Sequence, residues 1–172
     1  MNSGQITLVL GGARSGKSRF AQAVAEDEIG KLIYIATAQA FDVEMTARIA
    51  RHRSDRGPRW LTVEHPTELS ATISAHQGAG KTILVDCLTL WLSNLMLGDH
   101  DITAAVSGLI ASLKTASSKV ILVSNEVGQG IVPDNELARR FRDEAGWLNQ
   151  AVAHAATDVW FVTAGLPQRL KG

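Results

Sequence analysis

The sequence predicts an α/β fold built on a mostly parallel sheet, and three observations carry that prediction. Short apolar runs alternate with longer segments of helical periodicity along the chain. The runs are rich in Ile, Leu, Val and Thr and lack polar alternation, as expected of strands covered on both faces. No internal repeat, low-complexity tract or linker divides them. At 172 residues the chain reads as one domain over residues 1–172. A chain of that size buries about 70% of its unfolded surface, so its core needs no disulfide or metal staple.

Taken in order, Ile6–Leu10 is the first strand and Lys17–Glu28 the helix that follows it. Leu32–Thr37 is the next strand, then Val43–Arg53 a helix carrying Met45 and Ile49 with a basic outer face. Trp60–Val63 is a shorter, weaker strand, and Thr67–His76 a helix. Thr82–Asp86 and Val120–Ser124 are strands, separated by helical segments Leu88–Leu97 and Ile102–Ala116. The clearest helix is Asp134–Ala155, where Leu137, Phe141, Ala145, Leu148 and Val152 recur at helical spacing. Pro133 and Asp134 supply its start, and Val159–Thr163 closes the sheet.

Charge and cysteine content narrow the function. Lys+Arg and Asp+Glu both number 17, a net charge of +0, which argues against a nucleic-acid binder. Any anion must be held by a local site. The single cysteine, Cys87, cannot form an internal disulfide, so a reducing cytoplasm is the expected compartment. No apolar run approaches the ~18 residues of a membrane span, and the N-terminus lacks the pattern of a signal peptide.

Gly11-Gly12-Ala13-Arg14-Ser15-Gly16-Lys17-Ser18 matches the phosphate-loop pattern G-x-x-x-x-G-K-[ST]. The glycines let the backbone wrap tightly and aim N–H groups at phosphate oxygens, and the helix starting near Lys17 adds the positive end of its dipole. Lys17 is expected to reach the β- and γ-phosphates and the Ser18 hydroxyl to ligate Mg²⁺. The motif follows an apolar strand and opens a helix, which is the context that separates it from a chance glycine-rich turn. A carboxylate is expected at the end of another strand to hold the metal's water shell, and Asp86 is the candidate; capping the helix at Leu88 is its other possible role. The base-reading N-K-x-D of a GTPase is missing, since the corresponding place reads Asn125-Glu126-Val127-Gly128. Size then favours a small-molecule kinase; a nucleotide-dependent regulator is the rival of another class.

One segment does not fit a plain kinase. At helical spacing Glu44, Arg48 and His52 stand in one row, and Arg51, Arg53 and Arg56 crowd the histidine. Such neighbours favour a neutral, nucleophilic imidazole and can bind the phosphates it would attack. Read alone, the same segment also fits a solvated basic helix face. His65, His76, His100 and His154 have no such surroundings and read as surface or helix-end residues. Asn125–Pro133, with Gly128 and Gly130, is either a tight turn or a ligand-facing loop at the carboxyl end of a strand.

These motifs occur in an order that resembles the bifunctional adenosylcobinamide kinase/adenosylcobinamide-phosphate guanylyltransferase family of cobalamin assembly. The resemblance is carried by GGARSGKS at Gly11–Ser18, Tyr34–Ala38, the Glu44–Arg53 segment, Trp60–Glu64, Leu84–Thr89 and NEVGQGIVP at Asn125–Pro133. It implies a RecA-like P-loop fold, assembled as a homotrimer. It also implies two reactions: phosphorylation of adenosylcobinamide by ATP or GTP, then transfer of GMP from GTP onto adenosylcobinamide phosphate, releasing pyrophosphate. His52 matches the histidine that carries GMP. Gly11, Gly12, Ala13, Arg14, Ser15, Gly16, Lys17 and Ser18 match the phosphate loop. Ala36, Thr37 and Ala38 match a nucleotide-contacting turn, as do Arg53, Ser54, Asp55 and Arg56, and Glu64 and Asp86 match further acidic nucleotide-site positions. Some members have two adjacent histidines where this chain has Arg51-His52, leaving one nucleophile. Asp86 stands where some members have glutamate, one methylene longer.

Overall fold

The computed structural model describes residues 4–38 and 57–172. Its strands are β1 (Ile6–Gly11), β2 (Lys31–Ala36), β3 (Trp60–Glu64), β4 (Lys81–Asp86), β5 (Lys119–Asn125), β6 (Asp158–Thr163) and β7 (Leu166–Lys171). Five helices lie among the described residues: α1 (Lys17–Glu26), α2 (Leu69–His76), α3 (Leu88–Leu97), α4 (Ile102–Thr115) and α5 (Glu136–Ala155). The helix expected over Val43–Arg53 lies outside the described residues, as do His52, Arg53, Ser54, Asp55 and Arg56.

All seven strands form one sheet in the order β3-β2-β4-β5-β1-β6-β7, parallel throughout except for the β6–β7 pair. Every residue of β1 is buried, which explains its unbroken apolar run: both of its faces are covered. Successive residues point to opposite faces. Ile6, Leu8, Leu10, Ile33, Ile35, Ile83, Val85, Val120 and Leu122 join one core with α2, α3, α4 and α5. Val9, Tyr34, Ala36, Leu84, Ile121 and Val123 join the other with Ala21 and Ala25 of α1. One intervening strand, β5, separates β1 from β4, as in RecA-like P-loop proteins. The structure is thus a RecA-like α/β domain.

The helix starts show where side-chain hydrogen bonds outrank sequence position. Asn135, not Pro133 or Asp134, caps α5, its Oδ1 accepting from the Ala138 amide at 2.7 Å. The apolar stripe of α5 also divides: Ala145, Leu148 and Val152 are buried, whereas Leu137 is 56% exposed. With Met96, Leu97 and Phe141, Leu137 lines a groove of about 250 Å³ between α3 and α5.

β7 carries no apolar signal in the sequence because none of its residues is buried. It is held from outside the core. Ala164 (φ 51) and Gly165 (φ 80) form a two-residue turn of the kind that suits the twist of a hairpin. Asp158, at the start of β6, takes hydrogen bonds from Gln5 Nε2 (2.7 Å) and Thr157 Oγ1 (3.2 Å) and an ion pair from Arg169 of β7. Lys171 donates to the carbonyls of Ala153 and His154 at the end of α5.

Burial alone would raise the Asp158 pKa, but the hydrogen bonds and charge of Arg169, with Gln5 and Thr157, hold it below its ordinary value. The stabilisation is therefore present above the unfolded carboxyl's pKa, about 3.9, and is lost as pH falls through the lower folded value. Asp158→Asn is expected to cost about 2 kcal/mol at neutral pH. Denaturant unfolding of the two proteins should show this difference unchanged above about pH 5 and shrinking below about pH 4. A difference that persists at low pH would rule out the charged pair as its source.

Candidate functional site

Parallel register brings the carboxyl ends of six strands to one edge. Ala36 pairs with Glu64 on one side and Asp86 on the other. Val123 pairs with Asp86, and Gly11 pairs with both Asn125 and Val162. At about 4.8 Å per strand and about 3.3 Å per residue, Asp86 stands roughly 10 Å from Glu64 and, two strands away and two residues back in register, roughly 12 Å from the β1 end. Glu64 is exposed and Asp86 half-buried.

The phosphate loop leaves this edge from Gly11. A Cβ at Gly11 would lie 2.5 Å from Ser15 Oγ and 2.6 Å from the Val162 carbonyl, so no larger residue fits. Gly16 has φ 94 and precedes α1, with no side chain capping the helix. The first N–H groups of α1 thus have no capping side chain, and the helix opens with Lys17, Ser18 and Arg19. Cations at the positive end of a helix are unfavourable unless an anion is bound there. Lys17 is buried and its Nζ donates to the Gly12 carbonyl at 3.1 Å, curled over the loop. Arg14, at φ 55, is exposed. The β6–β7 turn braces the loop from outside: Gly165 N donates to Ser15 O at 2.8 Å, and the Gly165 Cα lies 3.2 Å from a Cβ built on Gly16.

Leu84 belongs to the α1-side core, and by strand alternation Asp86 shares that face with Lys17 and Ser18. The Tyr34 hydroxyl, also on that side, donates to Asp86 Oδ2 at 3.1 Å. Cys87, not Asp86, is the residue preceding α3, and it makes no side-chain cap, so capping does not account for Asp86. The Cys87 thiol is pushed up to about 11 by burial and by the neighbouring Asp86 charge, which keeps it protonated and unreactive.

Thr37 is fully buried and its polar atoms are committed. Its Oγ1 donates to the Cys87 carbonyl (2.7 Å) and accepts from the Cys87 amide (2.9 Å). Its carbonyl accepts from Asn94 Nδ2 at 2.7 Å. The hydroxyl thus clamps the ends of β2 and β4 together. Ala36 and Ala38 flank it at the sheet edge. His65 departs from the surface role expected of it: its amide bonds the Ala36 carbonyl (2.9 Å) and its Nδ1 is buried with no partner among the described residues. His100 and His154 are exposed and His76 ends α2, as expected.

At the end of β5 the Asn125 amide donates to Thr89 Oγ1 (2.7 Å), and its carbonyl accepts from Asn149 Nδ2 (3.1 Å). Its own Oδ1 is buried and unpartnered among the described residues, as is Ser15 Oγ beside Gly11. Beyond it, Glu126 Oε1 accepts from the Gly128 amide at 2.6 Å, so that carboxylate shapes the turn. No group of three or more His, Cys, Asp and Glu that could hold a metal occurs among the described residues. A carboxylate and a serine hydroxyl on the same face of the sheet edge are hard oxygen donors that suit Mg²⁺ completed by phosphate and water, and do not suit zinc.

Comparison with known proteins converges on one group. The sequence model of the cobinamide kinase / cobinamide phosphate guanyltransferase family matches residues 7–170. The bifunctional adenosylcobalamin biosynthesis protein CobP of Pseudomonas aeruginosa is 51% identical over 167 residues, covering 96% of each chain. The corresponding CobU proteins of Escherichia coli and Salmonella typhimurium are 44% and 42% identical, each alignment covering 95% of this chain and 98% of the relative. A solved structure from Pyrococcus horikoshii OT3 superposes on all of this chain and 88% of its own, at a TM-score of 0.60 and 8% identity, a likeness of fold alone.

Proposed function

The chain belongs to the cobinamide kinase / cobinamide phosphate guanyltransferase family, and from that premise we propose that the carboxyl edge of its sheet carries both reactions. It is an enzyme of adenosylcobalamin assembly: it phosphorylates adenosylcobinamide with ATP or GTP, and transfers GMP from GTP to adenosylcobinamide phosphate, giving adenosylcobinamide-GDP and pyrophosphate. The observation that carries the site is the phosphate loop itself. Gly11 and Gly16 are packed against neighbouring backbone, its helix opens with uncapped N–H groups, and a carboxylate ends the strand two away on the same face.

In the phosphoryl step, Gly12–Ser18 hold the triphosphate by backbone N–H groups. Lys17 uncurls from Gly12 to bridge the β- and γ-phosphates and neutralise charge that builds as the γ-phosphoryl moves to the substrate hydroxyl. Ser18 and Asp86 hold Mg²⁺, which when bound shields phosphate charge and orients the triphosphate. Tyr34 fixes the Asp86 carboxylate by its 3.1 Å hydrogen bond. Ala36 and Ala38, shaped by Thr37, Glu64, and Arg53, Ser54, Asp55 and Arg56 contact the nucleotide beyond its phosphates.

In the guanylyl step, a neutral nitrogen of His52 attacks the α-phosphorus of GTP. The N–P bond forms, the bond to the bridging oxygen breaks, and pyrophosphate leaves with that electron pair. The substrate's phosphate oxygen then attacks the same phosphorus and the N–P bond breaks, returning the imidazole. Two in-line displacements give net retention at phosphorus.

The enzyme acts as a homotrimer in the cytoplasm. Exposed Leu97, Ile131, Val132, Leu137 and Trp147 on and near α3 and α5 support an interface, and the free buried thiol of Cys87 fits a reducing compartment. No helix among the described residues is long and apolar enough to cross a membrane. Light scattering should give three times the chain mass; a stable monomer at assay concentration would contradict the trimer.

Lys17→Ala is expected to lower kcat of both reactions by at least about 100-fold with the fold intact. Phosphorylation is read from γ-labelled ATP and adenosylcobinamide, GMP transfer from α-labelled GTP and adenosylcobinamide phosphate. Loss of the first with the second untouched would assign the two reactions to separate sites.

A further inference from the structure

We propose that Asn125 is a positioning residue of the phosphoryl-transfer step, its carboxamide holding the γ-phosphate end of the bound triphosphate. Its place in the sheet is the first reason. β5 lies between the strand that opens into the phosphate loop and the strand that ends in Asp86. Asn125 pairs with Gly11, and Val123, two residues earlier on the same face, pairs with Asp86. Val123 is part of the α1-side core, so alternation directs the Asn125 side chain to the face that carries Lys17, Ser18 and Asp86. A triphosphate spanning the loop and that carboxylate passes over the end of β5.

The second reason is that this carboxamide has no structural task among the described residues. The backbone at Asn125 is secured from the opposite face by Thr89 and Asn149. Its Oδ1 is nonetheless buried and unpaired among the described residues, and so is Ser15 Oγ, which lies against Gly11 on the other side of the same register pair. Buried polar atoms cost stability when unpaired, and two of them flanking the phosphate loop mark where a polar ligand completes the hydrogen bonding. An amide supplies both polarities. Nδ2 donates to a γ-phosphoryl oxygen, while Oδ1 accepts from the attacking hydroxyl, or from water in its absence, and sets it in line. The amide takes no proton, so Asn125 orients the step without acting as its base.

The assignment rests on the phosphate-loop reading above, and the test separates the two. Calorimetry measures binding of the α,β-methylene analogues of GTP and GDP, which cannot transfer GMP, to the full chain with Mg²⁺. For Asn125→Ala the triphosphate analogue should bind about 10- to 100-fold more weakly, with diphosphate affinity unchanged. Asn125→Asp, close in shape but charged, should discriminate still more strongly against the triphosphate by repulsion. Melting temperatures confirm folding, and either variant that folds is decisive. Parallel weakening of both analogues, or no change in either, would overturn the role. A wild-type chain that binds neither analogue would overturn the phosphate-loop reading and this assignment with it.

Discussion

The passage from β1 to α1 is the constraint on which the rest of the site depends. A fully buried central strand must end, wrap and become a helix within the five residues Gly12–Gly16. No side chain fits at Gly11, Gly16 must adopt positive φ, and the hairpin turn at Gly165 packs directly against it. The backbone that results has its N–H groups concentrated at one point, at the positive end of a helix, with Lys17 and Arg19 adding charge in the same turn. Isolated, that arrangement is poor helix design; it makes sense only with an anion in place. Local rules broken at one location and nowhere else in α1 are a physical signature of function.

The sheet places the remaining chemistry. Its parallel register makes strands end together, so residues far apart in sequence become neighbours a strand spacing apart. Position along the edge then decides role: Asp86 two strands from the loop, Glu64 two strands further, Asn125 between loop and Asp86. Face decides it as well, since only alternate residues look toward α1. The buried hydroxyl of Thr37 keeps β2 and β4 from splaying where this alignment matters, and Tyr34 transmits that rigidity to the Asp86 carboxylate.

Much of this is legible in the sequence because it follows from burial. Apolar runs gave β1, β2, β4, β5 and β6 to within a residue or two, and α3 from Leu88 to Leu97. The phosphate loop is legible because its backbone geometry demands particular residues at particular spacings. β7 is not, since LPQRLK carries no buried face and is held by a turn and by the Arg169–Asp158 pair. Nor is the start of α5, fixed by the Asn135 cap three residues before Ala138. Thr37 reads as a nucleotide contact from its place in a motif, but only the fold reveals that its hydroxyl is committed to the Cys87 peptide. Asn125 was hidden for the reverse reason: its importance lies in a hydrogen bond the protein alone does not make.

One small P-loop domain is proposed to perform phosphoryl and guanylyl transfer, the second through a covalent bond to His52. The most direct test is chemical. The folded protein is incubated with Mg²⁺ and GTP labelled at the α-phosphorus, denatured, and treated with acid or alkali. A label that survives alkali, is lost in acid and is missing from His52→Asn is the result predicted, that of a phosphoramidate on this imidazole. Protein that binds GTP yet takes up no label, or His52→Asn that labels as the natural chain does, would contradict it.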